Sequence, residues 1–154
     1  MKNLLIGAAL LISASVFAQD VPSAVTKSFK AKFPNAKEVD WNESDEGFEA
    51  DFYMGNENKV VTFNENGNWL QTSTNLEEGK FPPLIIKAVK AKYNSVEVES
   101  VQMVETKTST IYNVNASNEK ASYTIKLDKT GKILNVEEII NDDSDYDFDE
   151  EDDE

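Results

Sequence analysis

The sequence predicts an α+β domain in which one helix-plus-four-strand unit is used twice, with two helices packed on one face of an antiparallel sheet. Three observations carry this prediction. A helical segment recurs sixty residues after its first appearance. The apolar period then changes from four to two after each copy. The same order of apolar alternations, ending in a glycine turn, follows both.

The segment from Val21 to Phe33 aligns with Phe81 to Tyr93, and Pro22, Lys27, Lys30, Ala31 and Lys32 recur as Pro82, Lys87, Lys90, Ala91 and Lys92. Val25, Phe29 and Phe33 recur as Ile85, Val89 and Tyr93. Spacing by four stacks these apolar residues on one helix face. A proline at each start suits a first helical turn. Pro34 stops the first helix, and Asn94 is the expected stop of the second.

Strands follow. Val39 and Trp41 alternate with Glu38, Asp40 and Asn42, and Phe48, Ala50, Phe52 and Met54 alternate with Glu49, Asp51 and Tyr53. One apolar and one polar face is the signature of an antiparallel sheet covered on one side. Lys59 to Phe63 is a third strand, Asn64-Glu65-Asn66-Gly67 a turn, and Trp69 onward a fourth strand. In the second unit Val101 and Met103, then Tyr112, Val114 and Ala116, then Leu127, Asp128, Gly131, Ile133 and Leu134 take the corresponding places. The units span about 21–76 and 81–140, and the link between them, with Glu77, Glu78 and Gly79 before two prolines, reads as exposed. A unit of about 60 residues is marginal alone, so both should share one domain over 19–140.

Met1 to Ala18 reads as a signal peptide: Lys2, an apolar run from Leu4 to Val16, and small Ala18 before Gln19. The run is shorter than the roughly 20 residues of a spanning helix. The expected location is periplasmic or secreted, with no membrane insertion once the signal is removed. Residues 141–154 hold ten of the 29 acidic residues and no lysine. With this tail and Lys2 set aside, 19 acids and 14 lysines remain, a net of −5 out of −14 for the whole chain. The tail reads as a disordered, self-repelling appendage.

Composition excludes several functions. There is no Cys, His or Arg. Disulfides, thiol chemistry, imidazole acid–base catalysis and guanidinium capture of phosphate are therefore all missing. The acidic balance argues against nucleic acid. A Ser nucleophile lacks a histidine base, and Glu43, Asp45, Glu46, Glu49 and Asp51 are better explained as a solvated strand face than as a catalytic pair. The reading is no enzyme and no cofactor.

Val21-Pro22, Phe33-Pro34, Val39-x-Trp41, the strand Phe48 to Phe52, and Phe63-x-x-x-Gly67-x-Trp69-Leu70 together resemble the beta-lactamase-inhibitor-like, PepSY-like family of secreted bacterial domains. The resemblance covers about Val21 to Ile140. It departs in the second unit, where Met103 and Ile133 stand at the places of Trp41 and Trp69. It implies a helix-plus-sheet fold, a periplasmic setting, no catalysis, and an inhibitor-like or protein-binding role.

Two functional expectations follow. In the first, the protein binds a protein or peptide through the open sheet face. Trp41, Phe48 and Phe52 belong to the core, while Tyr53 and one of Trp69 and Leu70 point the other way, so Tyr53, Trp69 and Leu70 are the candidate contacts. In the second, Asp143, Asp145, Asp147 and Asp149 bind divalent cations such as calcium weakly and diffusely. Their spacing partly mimics a calcium loop, but Phe148 stands where the sharp-turn glycine belongs.

Overall fold

A computed structural model describes residues 21–141. The signal segment 1–18 and the tail beyond Asn141, including Asp143, Asp145, Asp147 and Asp149, lie outside the described residues. Helix α1 (Ser23–Lys32) precedes β1 (Lys37–Ser44), β2 (Gly47–Met54), β3 (Glu57–Phe63) and β4 (Trp69–Leu76). A 3-10 turn, Glu78–Lys80, leads to α2 (Pro83–Lys92), β5 (Glu97–Thr106), β6 (Thr110–Ser117), β7 (Ala121–Asp128) and β8 (Ile133–Ile140). The eight strands form one sheet in sequence order, every neighbour antiparallel.

The helices form where spacing by four put them. Pro22 caps α1, and Pro82 caps α2 with Pro83 as its first residue, places where a missing N–H costs nothing. Val25 and Phe29 of α1 are buried with Ala50, Phe52, Val61 and Phe63, and Trp41, Phe48 and Trp69 pack at the margin of that core. Ile85 and Val89 of α2 are buried with Val101, Val114, Ile125, Leu127 and their neighbours. The first core is aromatic, and Phe29 lies 5.1 Å from Phe52 and 5.2 Å from Trp41, edge to face. The second is mostly aliphatic.

Cross-strand register links the two cores. One row runs Phe52, Lys59, Thr74, Met103, Tyr112, Leu127, Ile133, from β2 to β8. Strand β7 alternates strictly, with Ala121, Tyr123, Ile125 and Leu127 buried and Ser122, Thr124 and Lys126 exposed. That is the pattern of a sheet with one wet face.

The β3–β4 and β7–β8 turns are built alike. Asn64 Oδ1 accepts from the backbone N–H of Asn66 and Asn68, at 3.1 and 2.9 Å. Asp128 Oδ1 accepts from Thr130 and Lys132 at 2.8 and 3.1 Å. Gly67 and Gly131 each donate to the residue three before, Asn64 and Asp128. These donors, the Thr130 hydroxyl first among them, hold the Asp128 carboxyl below its ordinary range.

The link between α2 and β4 is more ordered than an exposed connection requires. Lys80 reaches Glu57 at 3.1 Å and Glu77 at 3.4 Å, and Lys59 reaches Glu57 at 3.0 Å. Hydrogen bonds from Lys59 and then Lys80 hold the Glu57 carboxyl below its ordinary 4.5, against the opposing effect of burial. A depressed folded value stabilises above the unfolded value, and that contribution disappears as pH falls through the folded one. Glu57→Gln should therefore be less stable than the native chain near neutrality and converge with it in acid. Urea midpoints from about pH 7 to about pH 3 check this; a gap that widens towards acid would contradict it.

Candidate functional site

The residues between the core positions form the polar face of the sheet. Across five strands their side chains join into one ladder. Asn113 Nδ2 on β6 donates to Gln102 Oε1 on β5 at 3.2 Å. Gln102 Nε2 donates to Asn75 Oδ1 on β4 at 3.3 Å, and Asn75 Nδ2 to Asn58 Oδ1 on β3 at 3.5 Å. Asn58 Nδ2 ends the series on Asp51 Oδ1 of β2 at 2.6 Å, the short distance of a bond to a charged acceptor. All four donors point the same way. Lys126 lies opposite Asn113 at the other end, so the ladder runs from a cation to an anion.

A second row, Asp51, Val60, Ser73, Val104, Ile111, Asp128, lies beside the ladder. Its three half-buried aliphatic residues give the face an apolar strip. A shallow hollow of about 390 Å³ opens over Ser73, Gln102, Val104, Ile111 and Asn113. Each ladder amide spends one N–H or one carbonyl lone pair on each neighbour and keeps another of each. The face thus offers donors and acceptors at the strand spacing of about 4.8 Å, held in place by their own bonds.

Of the three residues expected to make contacts, Tyr53 stands on this face and Trp69 does not. It is 41% exposed and lies opposite Asn58. Trp69 lies elsewhere: it packs against the α1 core, its Nε1 donates to Thr72 Oγ1 at 2.8 Å, and Lys32 Nζ sits 3.9 Å above its ring. Leu70 falls at the register shift between β3 and β4, where Thr62 pairs with Gln71 and Phe63 with Trp69, so it has no direct cross-strand partner. The structure does not bring the three together. Asn58, Asn75, Gln102 and Asn113 carry no signal in the sequence, because single amides on polar strand positions look like ordinary solvent-facing residues.

Other hollows offer less. One of about 580 Å³ is lined by Lys92, Tyr93, Asn118, Lys120 and Tyr123. Burial, then the charge of Glu138, pushes the Tyr93 phenol up. Among the described residues no group of three or more carboxylates is gathered around a metal position. No described helix is long and apolar enough to cross a membrane.

Asn75→Ala cuts the ladder at its centre. It should cost about 0.5–1.5 kcal/mol, the net worth of a hydrogen bond, while Tyr53→Ala stays within about 0.5 kcal/mol, as for most surface changes. Urea unfolding of both variants checks this; equal costs would mean that the ladder adds nothing to rigidity.

The comparisons agree with this architecture. The model of the family described as "Putative beta-lactamase-inhibitor-like, PepSY-like" matches residues 11–52 and 46–135. The chain is similar to the crystal structure of a DUF2874 family protein from Bacteroides ovatus, with 28% identity, 76% of this chain and 86% of that chain covered, and a TM-score of 0.68. It is also similar to a BLIP-like protein from Bacteroides fragilis, with 27% identity, 80% and 90% covered, and a TM-score of 0.67. No curated protein matches the sequence significantly. With most of its length matched by the family model, this chain belongs to the beta-lactamase-inhibitor-like, PepSY-like family.

Proposed function

We propose that the exported chain is a non-enzymatic binding module of the periplasm or the secreted fraction that holds a protein or peptide on its polar sheet face. Its two halves are copies of one helix-plus-four-strand unit, and both helices cover the same side of the sheet. Three features support the duplication: the matched turns at Asn64 and Asp128, the shared positions of buried residues in α1 and α2, and the row from Phe52 to Ile133. Directly opposed residues share a face, so a row that starts in the α1 core and reaches the α2 core leaves the ladder side free of helices.

The observation that carries the binding reading is the ladder from Asn113 to Asp51. It is pre-ordered, and pre-ordered polar groups lose little entropy on binding. Family membership points to an inhibitor-like role, and the absence of His, Cys and Arg leaves little material for catalysis. The reading calls for no cofactor.

The test is capture from periplasmic extract of a producing bacterium on the immobilised chain. Asn75→Arg and Gln102→Arg place bulk and charge on the ladder, Tyr53→Ala removes the aromatic beside it, and Lys27→Ala on α1 is the control. A bound protein lost with the ladder variants and kept with the control supports the reading. One kept by both ladder variants places the contact elsewhere.

A further inference from the structure

We propose that the outer edge of β8 is a docking edge for an extended, cationic segment of another polypeptide, which adds to the sheet as a ninth strand. This does not depend on the ladder face, because the ligand groups here are backbone groups along a strand edge.

Among the described residues β8 pairs only with β7. Its outer side therefore presents backbone donors and acceptors without strand partners. The opposite edge of the sheet is guarded. In β1 the register shifts between Lys37 and Asp40, Glu38 has φ of 53°, and Lys37, Glu38, Asp40 and Glu43 crowd the strand. Such bulges and charges are what discourage strand addition. On β8 the register is unbroken from Asn135 to Ile140.

The side chains make β8 more unusual. Large apolar residues exposed among the described ones are Tyr53, Leu84, Leu134, Ile139 and Ile140, and three of these five are on β8. Ile139 and Ile140 are 71% and 72% exposed. Alternation puts Glu137 and Ile139 on one face, and Glu138 and Ile140 on the other. Each face of the edge thus offers one carboxylate followed by one isoleucine. The matching antiparallel strand reads, from its N-terminus, two apolar residues and then two basic ones.

Charge decides between occupants. A second copy of β8 would bring together two strands that each carry Glu137 and Glu138 and continue into 14 residues with ten acids. Like charges along a shared seam oppose pairing. A strand bearing lysine or arginine gains from the same carboxylates, and main-chain bonds with alternating side-chain contacts are how strand addition works.

The experiment uses residues 19–154 and hydrogen exchange read amide by amide. The probe is the capped peptide Thr-Ile-Val-Lys-Lys-Thr; the control replaces both Lys by Glu. At saturating probe, the outward-facing amides of Val136–Ile140 should exchange about tenfold more slowly, as expected for edge groups that become paired. The Glu control should leave them unchanged. Ile139→Ser with Ile140→Ser, and separately Glu137→Gln with Glu138→Gln, should each weaken the effect, while Tyr53→Ala and Asn75→Ala should not. Unchanged β8 exchange, protection confined to other strands or to residues 142–154, or equal protection by the Glu control would overturn the proposal. So would β8 protection that grows with protein concentration without probe, the sign of a second copy on the edge.

Discussion

Phe52→Ala should destabilise the protein by about 3–5 kcal/mol, the range for deleting a buried aromatic ring. Phe52 has no solvent exposure and sits 5.1 Å from the Phe29 ring and 4.7 Å from Phe33. The ring therefore joins α1 to the sheet, and its loss opens a cavity between them that the tilted and edge-on neighbours cannot close. A domain of this size is stable by about 5–15 kcal/mol, so one substitution would remove a large part of that. Leu127→Ala, in the core under α2, should cost about 2–5 kcal/mol. The two cores are joined by the six paired residues of β4 and β5, Gln71 to Leu76 against Thr106 to Val101. Both variants should consequently unfold in urea through one transition with a lowered midpoint. A biphasic curve for Phe52→Ala, with one phase at the native midpoint, would mean that the halves fold independently.

Much of this architecture is legible in the residues themselves. Val25, Phe29, Ile85 and Val89 announce helices because spacing by four has one geometric meaning, and all four are buried as expected. Phe48, Ala50, Phe52 and Met54 announce a strand by alternation, and Ala50 and Phe52 are fully buried. What alternation cannot deliver is register. In a regular strand Trp69 and Leu70 would point to different sides, but the added residue opposite the Thr62–Phe63 step breaks the alternation there. The result puts Trp69 with the core, under Lys32, and out of the polar face. The ladder was hidden for the same reason. Asn58, Asn75, Gln102 and Asn113 lie far apart in sequence, and only the pairing of four strands brings their amides within bonding distance. Local pattern encodes elements, whereas this candidate site is a property of their alignment.

The two turn glycines separate what the halves share from what they do not. Gly67 and Gly131 hold corresponding places, and both have positive φ, +78° and +83°. Alanine there pays the left-handed backbone cost of about 1–2 kcal/mol. Their surroundings differ. A Cβ on Gly67 would lie 2.6 Å from the Ala24 carbonyl oxygen and 2.8 Å from its carbon, in the backbone of α1. A Cβ on Gly131 would meet the Ala88 Cβ at 3.3 Å and the Leu84 Cγ at 3.6 Å, both side-chain atoms. Helix backbone cannot step aside by that much without lifting Val25 and Phe29 from the first core, whereas the tightest contact at Gly131, 3.3 Å, needs a shift of only a few tenths of an ångström. Gly131→Ala should therefore cost about 1–2 kcal/mol, the backbone penalty alone. Gly67→Ala should cost about 3 kcal/mol or more, as overpacking adds roughly 1–3 kcal/mol to that penalty. Urea unfolding of the pair decides the matter: equal losses would mean that α1 gives way at the 2.6 Å contact as readily as α2 does at 3.3 Å.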